Sequence, residues 1–245
     1  MRVHQLGEAG HEILALHGFT GSGMDFEALV PHLSVGMLAP DLPGHLGTPP
    51  MSMPEAVAAL APLAEGRVVM GYSMGGRTAL QLACAVPVRA LVLIGATPGI
   101  ADLEARRARR LADASLARHI EACGVEAFLA EWMNKPIIAS QQRIPSPWRE
   151  RIMTRKSRHS ATGLAGSLLG MGTGSMASVW GCLPTTPMLL VVGEEDRKFM
   201  AIAQSVAEAA AGAEVAVVSG VGHCAHLEAI ERTASVIHRF LQRLG

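Results

Sequence analysis

The chain has no net charge to offer a polyelectrolyte: 21 Lys and Arg balance 21 Asp and Glu over 245 residues. A general nucleic-acid binder would show a strong basic excess, so that class is excluded. Charged residues reach only 17% while hydrophobic ones reach 49%, which excludes a disordered chain. Cysteine is sparse. Cys84, Cys123, Cys182 and Cys224 stand far apart without a C-x-x-C pair, which suggests neither a zinc site nor a redox dithiol. They read as small apolar fillers in a reduced compartment. No uncharged apolar run approaches the roughly 18 residues that a membrane span needs. Glu8, His11 and Glu12 interrupt the N-terminal region, so no secretory leader is read there. The expectation is a soluble cytoplasmic protein. Aromatic residues are few, with five Phe, three Trp and one Tyr. Gly (26 residues) and Ala are abundant, as close packing of helices on a sheet requires.

What is present has a rhythm. Apolar runs rich in Val, Ile and Leu occur at Ile13–Leu16, Val35–Ala39, Arg67–Tyr72, Val88–Ile94, Met188–Val192 and Glu214–Val218. Most are apolar at every position, as parallel strands covered on both faces are. Helical patterns lie between them, at Asp25–Leu33, Pro54–Glu65, Met74–Ala85, Ala201–Ala211 and His226–Leu244. Alternation of this kind predicts an α/β fold with a doubly wound, mostly parallel sheet. One stretch breaks the alternation. From about Thr97 to Cys182 no strand is evident; helices are expected at Ala101–His119, Val125–Met133 and Pro147–Arg158, followed by small residues over Gly163–Ser178. Residues 101–160 hold 12 Lys and Arg against 7 Asp and Glu, an excess of five positive charges that the rest of the chain cancels. The stretch reads as a helical insertion in one domain covering residues 1–245.

The chemistry concentrates where strands end. Val68–Tyr72 runs into Gly71-Tyr72-Ser73-Met74-Gly75 and then a helix. A turn this tight forces Ser73 into strained dihedrals, which the flanking glycines make room for, and lifts its hydroxyl above the sheet at a helix N-terminus. The bland alternative is a serine that caps a helix. A nucleophile or base of this type needs a histidine and an orienting acid, in chain order Ser, Asp, His. Gly193-Glu194-Glu195-Asp196 ends a strand and supplies three rival acids, with Asp196 the expected one; a solvated acidic loop is the plain reading. Gly222-His223 follows the last strand and supplies the base. Two backbone amides must meet a developing oxyanion. The Met74 amide follows the serine, and the Phe19 amide lies in Leu16-His17-Gly18-Phe19 after the first long strand. His17 reads as a brace for that loop.

Taken together, His17-Gly18-Phe19, Asp41-Leu42-Pro43-Gly44-His45, Gly71-x-Ser73-x-Gly75, Gly193-x-x-Asp196 and Gly222-His223 resemble the α/β-hydrolase superfamily over essentially the whole chain. In that family the segment at about 97–182 is a lid. A narrower resemblance is to the menaquinone-pathway lyases, the 2-succinyl-6-hydroxy-2,4-cyclohexadiene-1-carboxylate synthases of MenH type. It rests on Gly71-Tyr72-Ser73-Met74-Gly75-Gly76-Arg77, Gly193-Glu194-Glu195-Asp196-Arg197-Lys198-Phe199, Gly222-His223-Cys224-Ala225-His226 and Glu131-Trp132-Met133-Asn134-Lys135-Pro136. The resemblance implies that Arg77, Arg109 and Arg155 hold substrate carboxylates, with Arg106 a rival for Arg109 at i,i+3 on one helix face. It also implies pocket roles for Tyr72 and Trp132. Two departures stand out. Leu46 interrupts the usual P-G-H-G, and Ala229-Ile230 stands where a proline is common.

The expected activity is elimination of pyruvate from a small anionic substrate, with the triad as general base. A serine hydrolase of esters or of carbon–carbon bonds is the alternative, and a non-catalytic member of the same fold is a third class. Neither a metal nor an organic cofactor is expected, nor a nucleic-acid or membrane partner. Monomer and dimer both remain open.

Overall fold

The computed structural model describes residues 1–8 and 10–245. Strands β1 (Val3–Leu6), β2 (His11–Leu16), β3 (Gly36–Pro40), β4 (Val68–Tyr72), β5 (Ala90–Ile94), β6 (Met188–Gly193) and β7 (Ala213–Val218) form one sheet in the order β1-β3-β2-β4-β5-β6-β7. Only β1 pairs antiparallel; every other pairing is parallel. The six expected strands are found. The additional one, β1, is a four-residue edge strand with a half-exposed pattern, so it lacks the continuous apolar run by which its neighbours are recognised.

Alternate strand residues face opposite sides, as the two-residue period of a strand requires. Leu14, Leu16, Val69, Leu91, Leu93 and Leu190 enter one core. There they meet helices α1 (Met53–Ala64), α2 (Met74–Ala85) and α7 (Arg197–Ala209). Ile13, Ala15, Met70, Val92, Ile94 and Val191 enter the other. Helix α9 (Ile230–Gln242) and a 3-10 helix over Gly23–His32 cover that side. Expected as α-helical, the latter segment winds more tightly and contains Pro31, which has no amide to donate. The long C-terminal helix is also divided: α8 (Ala225–Glu228) precedes α9, and Ala229 between them has φ −141°. Local chemistry fixes the helix starts. Ser52 opens α1, with its amide and hydroxyl both bonded to Glu55 at 2.8 and 2.6 Å.

Between β5 and β6 lie α3 (Leu103–Trp132), α4 (Pro136–Ala139), α5 (Ser146–Lys156) and α6 (Ala161–Met171). Helix α3 is two helices joined at Gly124, whose φ of 79° interrupts the winding, so the two expected helices correspond to its halves. Helix α6 was expected only as a run of small residues. Ser160 caps it by accepting from the Gly163 amide at 3.1 Å. A Cβ on Gly170 would lie 2.1 Å from the Met51 carbonyl oxygen. The small residues that weaken the helix in isolation are what allow it to lie against the chain at Met51. The insertion has its own apolar centre in Ile120, Phe128, Leu129, Leu164 and Leu168. Among the described residues no helix is long and apolar enough to cross a membrane.

Close backbone approach joins the two loops that carry Asp196 and His223. A Cβ on Gly193 would sit 2.0 Å from the Gly222 carbonyl oxygen and 2.4 Å from that of Val221. Both neighbours are backbone and cannot rotate away. Gly193→Ala is expected to lower the unfolding free energy by about 1–3 kcal/mol, read from urea denaturation followed by far-UV circular dichroism. A variant as stable as the parent would show that the two loops can separate freely.

Candidate active site

Ser73 sits between β4 and α2 with φ 51° and ψ −104°, a conformation that side-chain-bearing residues rarely adopt. Its amide is held by the Ile94 carbonyl on the neighbouring strand at 2.9 Å. The turn closes only because Gly75 has no side chain: a Cβ there would lie 1.9 Å from the Leu16 carbonyl oxygen. The Ser73 Oγ is 3.1 Å from His223 Nε2, and His223 Nδ1 is 2.5 Å from Asp196 Oδ2. Of the three candidate acids, only Asp196 reaches the histidine. Glu194 accepts from the Gly220 amide, and Glu195 pairs with Arg143. Asp196 is itself fixed, because its other oxygen accepts from the Phe199 amide at the start of α7.

The Phe19 and Met74 amides have no acceptor among the described residues, as a pair of oxyanion donors would require. His17 braces the loop before Phe19, donating from Nδ1 to the Gly18 carbonyl and accepting at Nε2 from the Leu42 amide, both at 2.8 Å. Phe19 packs edge-on to Trp132 of the insertion.

Ser73 opens into a narrow cavity of about 50 Å³ lined by Phe19, Asp25, Tyr72, Trp132, Gln141 and Lys156, among others. Tyr72 and Trp132 are thus among the residues lining the cavity. None of Arg77, Arg106, Arg109 or Arg155 lines this cavity. Buried acids attract two of them. Arg155 reaches Asp25 at 3.1 Å, and Arg109 reaches Asp113 at 2.7 Å. Arg77 donates to the Met171 carbonyl, and its Nε is buried without a partner. Burial, then the nearby Arg109, pulls its pKa down to about 10. Arg106 is half-buried on α3.

The alpha/beta hydrolase family model matches residues 13–236. The chain belongs to this family. A provisionally named 2-succinyl-6-hydroxy-2,4-cyclohexadiene-1-carboxylate synthase of Bacillus subtilis (strain 168) is 37% identical over 95% of this chain and 91% of its own. A synthase of the same name from Klebsiella pneumoniae (strain 342) is 30% identical over 90% of each. The solved structure of MenH from S. aureus superposes with a TM-score of 0.91, at 26% identity, over 99% of this chain and 98% of that one. A malate-bound thermophilic esterase from Thermogutta terrifontis shares the fold, with a TM-score of 0.78 at 22% identity, over 99% of this chain and 93% of that one.

In this alpha/beta hydrolase, several site residues carry no signature in the sequence. Glu228 has a fully buried side chain that accepts from the Gly222 and Cys224 amides on either side of His223, and from Ser140. Gln141 donates to the Tyr72 hydroxyl at 3.4 Å. The cysteines divide differently from expectation: Cys224 is buried, but Cys84 and Cys182 are exposed. Cys84 donates to the Cys182 carbonyl across 98 positions of sequence. Among the described residues no group of His, Cys, Asp and Glu could hold a metal ion.

Two buried histidines hold the loop at Thr20, between the cavity-lining residues Phe19 and Gly21. His45 Nε2 accepts from the Thr20 amide while its Nδ1 donates to the Pro43 carbonyl. His159, from the insertion, donates from Nε2 to the Thr20 carbonyl and accepts at Nδ1 from the Leu46 amide. Each ring thus needs one bare nitrogen, and protonation would set a new N–H against an existing one. Burial lowers the pKa of His159 to about 4 and places that of His45 well below the ordinary value. A histidine with a lowered folded pKa resists a proton that the unfolded chain accepts. Its stabilising effect is complete above about pH 6.5 and is lost as the pH falls towards 4. His159 alone can account for about 3 kcal/mol over that interval, at 1.36 kcal/mol per pH unit. Unfolding free energies between pH 7 and 4 should therefore fall steeply for the parent and less steeply for His159→Asn. Parallel curves would show that His159 does not titrate in this way.

Proposed function

We propose that the chain is a MenH-type lyase, a 2-succinyl-6-hydroxy-2,4-cyclohexadiene-1-carboxylate synthase of menaquinone biosynthesis. The observation that carries the reading is the continuous hydrogen-bonded relay from Ser73 through His223 to Asp196, opening into a cavity that Lys156 lines. The names of the relatives support it. In this reading Ser73, made basic by His223, takes a proton from a substrate carbon. The electron pair moves through the conjugated system to form a new carbon–carbon double bond as the bond to the leaving oxygen breaks, and the departing enolate regains the proton to become pyruvate. The proton passes to His223, whose charge Asp196 offsets. The Phe19 and Met74 amides meet the negative charge that develops on the enolate oxygen. No water attacks and no acyl-enzyme forms.

Tyr72 and Trp132 shape the pocket. Of the arginines the resemblance implies, Arg77 and Arg106 have no carboxylate partner among the described residues and are free to meet a substrate anion, whereas Arg109 and Arg155 are paired with Asp113 and Asp25. The segment at about 97–182 serves as the lid of a single domain spanning 1–245. A cavity of about 50 Å³ is far below the roughly 300 Å³ or more of ordinary ligand pockets, so the substrate enters by displacing lid groups such as Trp132. The reading includes a cytoplasmic enzyme that acts on a small anionic molecule and uses no cofactor.

Pyruvate released from the menaquinone-pathway intermediate, detected by mass spectrometry, tests this directly. Ser73→Ala should slow release by about 10²–10⁴-fold while the circular dichroism spectrum is retained. Pyruvate release undiminished in that variant would overturn the role of the triad. No pyruvate from the parent, with brisk cleavage of short aryl esters, would favour the serine hydrolase.

A further inference from the structure

Cys84 and Cys182 stand 98 positions apart in the chain, yet the Cys84 thiol donates to the Cys182 carbonyl at 3.4 Å. Both residues are exposed. Cys84 lies in the last turn of α2, the helix that begins just after Ser73. Cys182 ends a short 3-10 helix, Trp180–Cys182, where the insertion returns towards β6. Neither belongs to a strand, so the adjustment that brings sulfur to sulfur falls on helix ends and not on the sheet. The other two cysteines are placed differently. Cys123 meets His119 and the Gly124 carbonyl, and Cys224 is sealed at 1% exposure.

The pair sits at a joint. Gln81, one turn before Cys84, donates to the Ala177 carbonyl at 2.7 Å. The Val179 amide donates to the Pro98 carbonyl at 2.9 Å, and Trp180 Nε1 to the Gly99 carbonyl at 3.1 Å. The two ends of the insertion are thus tied to each other, and one of them to α2. We propose that Cys84 and Cys182 form a thiol–disulfide exchange site that reacts with a low-molecular-weight disulfide, RSSR, and closes into a bridge fastening the insertion to α2. The Cys84 proton is engaged by the Cys182 carbonyl, and burial, then the Cys182 thiol, push the Cys84 pKa up to about 11. Cys182 is therefore the first to attack. Its thiolate bonds to one sulfur of RSSR, and RS⁻ leaves. Cys84 then gives its proton to solvent, and its thiolate displaces the second RS⁻ from Cys182. Two protein thiols and RSSR become one protein disulfide and two RSH, a two-electron oxidation of the protein. The competing explanation is that the two side chains are surface neighbours with no shared chemistry.

Incubation of the reduced protein with oxidised glutathione at about pH 8, followed by alkylation with N-ethylmaleimide, separates the two. The parent should lose two alkylatable thiols without gaining glutathione, and peptide mapping by mass spectrometry should join Cys84 to Cys182. Cys84→Ser and Cys182→Ser should each instead carry one glutathione on the remaining member of the pair. Because the bridge closes a loop of 98 positions, the oxidised parent should melt about 5 °C or more above the reduced one, and neither variant should show that shift. Separate glutathiones on Cys84 and Cys182 of the parent, full alkylation of both, or a bridge to Cys123 would each overturn the site. A bridged parent that melts no higher than the reduced one would overturn the fastening of the insertion. None of these readouts needs turnover, so all are independent of the lyase assay.

Discussion

The turn at Ser73 is the constraint around which the other parts are arranged. A non-glycine residue at positive φ costs on the order of 1–3 kcal/mol, and it persists only because the surroundings allow no other path. Strand β4 is held between β2 and β5, and the Ser73 amide is bonded to Ile94. Helix α2 then starts against the Leu16 carbonyl, at a distance only Gly75 permits. The same geometry brings the C-terminal ends of β2, β4 and β6 together, so Phe19, Ser73 and Asp196 arrive at one edge of the sheet. Ligands of open α/β sheets bind at such an edge.

Charge explains how the insertion is seated. Its positive excess faces acids of the body: Arg143 pairs with Glu195 and Glu228, Arg155 with Asp25, and Arg151 with Glu27. The exposed pairs contribute little each. The buried acids are different, because an unpaired carboxylate in the interior is costly. Glu228 organises the His223 loop and Asp25 the wall beside Ser73, so the insertion neutralises groups that shape the site. The asymmetry of charge along the chain is thus partly a docking device, and only the remainder is free to attract an anion.

Much of this was legible because it is local. The period of the apolar residues announced the parallel strands, and the tight-turn glycines announced Ser73. Chain order pointed to His223 and to the acids at 194–196, without separating Asp196 from its two rivals. Where spacing failed, long-range contact had decided. The interruption at Leu46 had no sequence rationale; in the structure Leu46 adopts φ 45° and presents its amide to His159, 113 positions away. Helix α6 forms despite its glycines because they fit against the chain at Gly44, Pro50 and Met51. The arginines were placed by resemblance, but the pull of Asp25 and Asp113 on Arg155 and Arg109 depends on burial that a linear pattern does not record.

The sequence by itself determined the six parallel strands, their order along the chain and the residue types at their ends, because hydrophobic period and turn chemistry act over a few residues. Only the tertiary structure decided which acid meets His223, which cation lines the cavity and which cysteines lie exposed. Those outcomes depend on distances between segments up to 150 positions apart, and on which charges the fold removes from water.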